Sequence, residues 1–309
     1  MLQLCLPWPR LATEHAGGVR FRGRCSSHAF VFAMVVVGWS TTIPVNHAAA
    51  ANPNKGTSSR RARKDAITAL PLDHLSVDDQ QRVQSVVSKA SIYRRLPTRV
   101  IRCDPELYQF TLENPEIMVG IWKLLGLEDF ALQRTGQQSY QIEDGAGTLG
   151  NVEFLYRSHD TYLVYGEGIY DGPMFMKPVQ GACVILMKSG FVRETDGHYY
   201  VTGRLDVFVR FDRGSTADIL AKTFSPLVGF VADHNFTQTM AFIQSLSDAA
   251  EVNPLGMQRL ANKLTDIPED MREEFISMTA RVAQRADNRR QATVRTVRFK
   301  ASQGASESK

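Results

Sequence analysis

Between residues 130 and 212 the chain carries six short β-branched and aromatic stretches with turn residues between them. The stretches 130–135, 138–143, 152–158, 161–170, 182–188 and 199–212 read as strands. Asp144-Gly145, His159-Asp160, Asp171-Gly172-Pro173 and Asp196-Gly197 separate them with residues that tolerate tight turns. The last stretch alternates most clearly. Val201, Gly203, Leu205, Val207, Val209 and Phe211 face one way, and Thr202, Arg204, Asp206, Arg210 and Asp212 face the other. A dry face and a wet face predict an antiparallel meander with one side packed and the other in water.

Helices flank these strands. Asp104-Pro105 and Asn114-Pro115 each set an N-cap before a proline at the first helical position, which predicts helices over 105–112 and 115–125. Gly126 is placed to close the second with a positive φ. Ahead of them, Ser76 to Asp79 resembles a capping box, opening a helix that runs until Pro97. After the strands, Ser225-Pro226 predicts a break between helices at 216–224 and 226–249. Val228, Val231, Asn235, Thr239, Phe242, Leu246 and Ala249 share one stripe of the second. Helical spacing continues over 255–264 and 268–286.

The order is one strand at 98–103, two short helices, six strands and a long helix. With Asp104-Pro105 opening the first helix and Trp122 in the second, residues 98–250 resemble the START-like (SRPBCC, helix-grip) superfamily. The resemblance implies an α+β fold: a curved antiparallel sheet of about seven strands gripping a long C-terminal helix around an apolar cavity, here with extra flanking helices. The chain also looks like exported bacterial proteins that carry such a domain.

The N-terminus supports export. Arg10, Arg20, Arg22 and Arg24 precede the apolar run 29–39, and Ala48 to Ala51 supply the small residues that a signal peptidase needs. The run is shorter than the roughly 20 residues of a spanning helix. A signal peptide over 1–50 is therefore expected, with an uncleaved anchor as the alternative, and the address is the periplasm or cell envelope. The remaining segments read as a basic linker at 51–75 with nothing to bury, a leading helix at 76–96, the helix-grip domain at 97–252, C-terminal helices at 253–287 and a disordered basic tail at 288–309. Removing the signal leaves Cys103 and Cys183, as a disulfide or as two buried thiols.

Charge narrows the partners. Residues 97–252 carry twelve basic and twenty acidic side chains, a net −8, while the basic excess lies in the flanks. Nucleic-acid binding requires a basic stripe on the folded surface, so no nucleic-acid partner is expected. Peripheral membrane contact through the basic linker is open.

Catalysis has no motif. His159-Asp160 is explained by a local turn, and His234 beside Asp233 lies off the apolar helix stripe. Gly145 to Gly150 lacks the strand-to-helix context of a phosphate loop. Glu153 and Glu167 read as solvated, and no metal or cofactor set is visible. The expected site is a lipid-like binding cavity between the last strand (Val201, Leu205, Val207, Val209) and the helix stripe (Val231, Asn235, Thr239, Phe242). Asn235 and Thr239 would be polar anchors, and Met174, Phe175 and Met176 the adaptable entrance. The competing expectation is a structural or interaction protein of the envelope with a filled core. A cavity of roughly 300 Å³ or more favours the first. A collapsed interior with exposed apolar helix faces favours the second.

Overall fold

The computed structural model describes residues 52–127, 130–172, 178–212 and 217–306, with side chains described in all of these but 217–228 and 293–306. Within them the fold is α+β, with one antiparallel sheet of eight strands and seven α-helices. The helices are α1 (Arg60–Thr68), α2 (Val77–Ser88), α3 (Pro105–Glu113), α4 (Pro115–Leu124), α5 (Ala217–Val252), α6 (Pro254–Lys263) and α7 (Glu269–Ser306). The strands are β1 (Ile92–Arg95), β2 (Arg99–Arg102), β3 (Ala131–Arg134), β4 (Ser139–Glu143), β5 (Thr148–Arg157), β6 (Thr161–Tyr170), β7 (Val179–Arg193) and β8 (Tyr199–Phe211). From β3 to β8 each strand pairs with the next in sequence, as a meander does. Both β1 and β2 pair with the far edge of β8.

The short helices form as their caps dictate. Asp104 accepts the N–H groups of Glu106 and Leu107, so two donors without helical partners are satisfied at the start of α3. At the end of α4, Gly126 takes a φ of 67°, and Leu127 N–H donates to the Trp122 carbonyl at 2.9 Å. Together with the Gly126 N–H on Lys123, this is a Schellman closure.

Four expectations are corrected. The segment 51–75 is not a bare linker: Ser59 caps α1, Ala62 and Ala66, one turn apart, are buried, and Arg63 donates to the Val87 carbonyl of α2 at 2.9 Å. The leading helix stops at Ser88 rather than before Pro97. Residues 92–95 then form β1, whose Tyr93 and Arg95 reach across to Asp206. Pro97 divides this edge from β2 because it has no N–H for the ladder. Ser225-Pro226 does not interrupt α5, which runs as one helix. Finally, α7 continues past residue 288 to Ser306, held beyond Ala286 by an Arg289–Glu251 ion pair at 2.7 Å.

The wet face of the sheet is also only partly wet. A first core packs Val201, Leu205 and Val207 against α3 to α7. A second core, on the opposite face, packs Leu163, Val184, Leu186 and Phe208 against Ala62, Ala66, Val83, Val86 and Val87 of α1 and α2. Asp206, expected in water, is fully buried beneath them. It accepts hydrogen bonds from the Tyr93 hydroxyl at 2.7 Å and the Arg95 Nε at 2.8 Å. Burial is the main cause that raises the Tyr93 pKa, and the Asp206 hydrogen bond adds to it.

One row of glycines shapes the first face. Gly150, Gly168 and Gly181 stand directly opposite one another on β5, β6 and β7. A Cβ at Gly168 would lie 2.5 Å from the Leu149 carbonyl oxygen, and one at Gly181 2.7 Å from that of Arg210. The strand backbones thus approach more closely than any other residue allows, which suits a sharply curved sheet.

Candidate functional site

Two apolar spaces lie on the inner face of the sheet, and Val152 lines both. The first is an open trough of about 160 Å³ over the far ends of β5 to β8. Its floor is bare, because Gly150, Gly166, Gly168 and Gly181 all lie in it. Ile142, Cys183, Val209 and Phe211 form its walls. The second, of about 70 Å³, lies beneath the α3–α4 corner and is closed by Trp122, Phe130, Tyr140, Phe154, Thr239 and Ile243. Neither reaches the roughly 300 Å³ expected of a drug-sized ligand site.

Two of the residues expected at the site line these spaces: Val209 the trough and Thr239 the closed pocket. Val201, Leu205 and Val207 are instead packed in the first core and line neither. Asn235 is buried, 1% exposed, but the buried stripe of α5 runs through Ala232, Phe236, Met240, Ile243 and Ala250, about one position round from the expected one. Val231 and Phe242 are half-buried, and the Phe242 ring meets Trp122 edge-on at 5.9 Å. Met174, Phe175 and Met176 lie outside the described residues.

The sequence pattern passed over the glycine floor, since glycine inside a strand reads as a bulge or a turn. The period-two signal was nonetheless present, as Gly166 and Gly168 share a face with Tyr162 and Val164. It also passed over a polar group at the closed pocket. The Arg157 guanidinium lies 3.9 Å from the Phe154 ring centroid, and its Nε and one Nη are buried. The Tyr140 hydroxyl is likewise buried. Burial raises the Tyr140 pKa and the Glu116 carboxylate adds to this, while the nearby Arg134 and Arg157 charges oppose it. Arg157 thus acts on the Tyr140 hydroxyl both through its charge and through a side-chain hydrogen bond. On the other side of the Tyr140 ring, Arg134 is paired with Glu116.

The remaining sequence candidates have structural partners. His159 packs against Phe191 with ring centroids 4.5 Å apart. Asp233 is ion-paired with Arg94, while His234 is exposed. Glu153 binds Arg82 at 2.9 Å, and Glu167 accepts from the Tyr165 hydroxyl at 3.1 Å. Gly145 and Gly147 turn β4 into β5 with φ of 66° and 108°. Asp144 accepts the Ala146 and Thr148 N–H groups there, so the glycines serve a hairpin. Cys103 and Cys183 are thiols that form no disulfide, and burial pushes the Cys103 pKa up to about 12. Among the described residues there is no group of three metal-ligating side chains, and no helix is long and apolar enough to cross a membrane.

No protein-family model matches the sequence, and no curated protein matches it. Among solved structures, an uncharacterized protein from Rhizobium leguminosarum aligns with 46% of this chain and 93% of its own, at 12% identity and a TM-score of 0.28. Ara h 8.0201 aligns with 48% of this chain and 98% of its own, at 12% identity and a TM-score of 0.27. The Mll3558 protein from Rhizobium loti aligns with 46% and 97%, at 15% identity and a TM-score of 0.26.

Proposed function

We propose that this chain is an exported, non-enzymatic binding module that holds a small apolar or amphipathic molecule against the inner face of its sheet. The observation that carries this reading is the bare floor of the trough. Each glycine in a strand interior costs roughly 0.5–1 kcal/mol relative to alanine and adds no side chain to the core. The curve of the sheet accounts for the three in register, Gly150, Gly168 and Gly181. Gly166 stands outside that row and still leaves the floor open. The volumes of the two spaces suit a short-chain molecule better than a two-chain lipid.

A structural or interaction role in the envelope remains the second reading, and two observations favour it. The inner face of the sheet is filled down to two small spaces, and Val252 and Leu255 at the α5–α6 corner are 73% and 65% exposed.

Native mass spectrometry of protein taken from its own envelope tests both address and cargo. The chain is expected to begin near Ala51 and to carry a small bound molecule. Val209→Trp, which fills the trough, is expected to lose that molecule while keeping its circular dichroism spectrum. A chain found free of bound molecules would favour the interaction role. A mass that retains residues 1–50 would contradict cleavage.

A further inference from the structure

We propose that the outward face of α1 is a docking surface for an anionic lipid bilayer, independent of the spaces on the other side of the sheet. Residues 52–68 carry five basic side chains and one acidic one. Arg60, Arg61 and Lys64 are exposed, and among the described residues none of them has an acidic partner. Arginines of the body are committed by contrast: Arg94 pairs with Asp233, Arg102 with Asp248 and Arg285 with Asp104. Asp65, the one acid on α1, turns towards Arg95 at 3.9 Å. Arg60, Arg61 and Arg63 also occupy the first turn of the helix, where the dipole is positive and disfavours cations, and no acid offsets them in that turn. An anionic surface laid against this end relieves that repulsion.

The patch is held in place by the fold. Ala62 and Ala66 pack in the second core, Arg63 donates to the Val87 carbonyl at 2.9 Å, and Arg95 donates to the Ala62 carbonyl at 3.1 Å. The cations are therefore presented on a fixed helix, without the ordering cost of a flexible tail. Arg60, Lys64 and Ile67 fall at i, i+4 and i+7 on one stripe, and Ile67 is 39% exposed. Long basic side chains beside an apolar one match the boundary between head groups and acyl chains. A nucleic-acid duplex would meet the same charges but gives Ile67 no place. The body, at net −8 over residues 97–252, is repelled by the same bilayer, so the charge asymmetry orients α1 towards it.

Co-sedimentation of the full chain with vesicles tests this, using pure phosphatidylcholine against an equal mixture of phosphatidylcholine and phosphatidylglycerol. Each basic side chain at an anionic surface is worth about fivefold in partitioning at moderate salt. Wild type is therefore expected to bind the mixed vesicles at least tenfold more tightly than the neutral ones, and to release them at about 1 M salt. The triple variant Arg60→Gln, Arg61→Gln, Lys64→Gln is expected to bring that preference below about twofold. Its three sites are exposed, and fewer cations at the positive end of the dipole favour the helix, so the variant should keep the wild-type circular dichroism spectrum. Arg295→Gln, Arg298→Gln, Lys300→Gln removes the same charge from the end of α7 and is expected to keep the preference within about threefold of wild type. No preference in wild type, or an equal loss in both triple variants, would overturn the assignment to α1. Displacement of the vesicles by duplex DNA at equal phosphate concentration would overturn the choice of a bilayer as partner.

Discussion

Replacing Asp206 with alanine is expected to lower the unfolding free energy by about 3–5 kcal/mol, because removing one partner of a buried ion pair strands the other. Asp206 is fully buried, and Arg95 is only 16% exposed. Arg95 also donates to the Ala62 carbonyl at 3.1 Å, so the pair links β8, β1 and α1. Loss of the carboxylate leaves the Arg95 guanidinium and the Tyr93 hydroxyl to be buried without their acceptor. Chemical denaturation of Asp206→Ala against wild type measures the cost. A change below about 1 kcal/mol would mean that α1 and α2 detach easily and that water reaches Arg95 in the native state.

Phe275→Ala is expected to cost a further large amount, about 3–5 kcal/mol, the range for truncating a fully buried aromatic. Phe275 on α7 has no exposed surface and stacks on Phe110 of α3 with ring centroids 5.9 Å apart. Nearby, Arg285 binds both carboxylate oxygens of Asp104 at 2.8 Å, using the same side chain that caps α3. This makes α7 part of the first core, not an appendage to it. Unfolding of the variant should therefore remain one transition, shifted to lower denaturant. A separate early transition, with the rest of the protein unmoved, would show α6 and α7 to be an independent unit.

The contrast between these two sites shows what the sequence discloses. Alternation from Val201 to Phe211 locates β8 and its inner face, since period two is a local property. Asp104-Pro105 and Asn114-Pro115 place α3 and α4 to within a residue or so of their ends, because caps act over one turn. Gly126 takes the positive φ its position requires. What escapes is everything decided at long range. The outer face of β8 reads as polar because Asp206 is charged, and its partner Arg95 is 111 residues away. The α1 segment reads as a linker because two alanines carry little hydrophobic signal, although they let the helix lie close to the sheet. The part of α7 beyond Ala286 reads as a tail because the contact that holds its start is an ion pair of Arg289 with Glu251, 38 residues away, and not an apolar stripe.

The candidate site divides in the same way. Thr239 and Val209 follow from helical and strand periodicity, and both line the observed spaces. Val201, Leu205 and Val207 share the inward face but are covered by helices, which periodicity along one strand does not register. The glycine floor depends on the register of β5, β6 and β7, and the Arg157–Tyr140 pair on the closeness of β4 and β5.

The central claim is that a small molecule occupies the inner face of the sheet, and methyl NMR during titration with octanoate tests it most directly. The account predicts saturable shifts confined to Ile142, Val152, Val164, Val209 and Ile243, which line the two spaces. Val184 and Leu186, on the opposite face beneath α1 and α2, should stay unmoved. Saturable shifts at exposed Val252 and Leu255, with Val152 and Val209 silent, would contradict the account and place the binding surface on the outer helices.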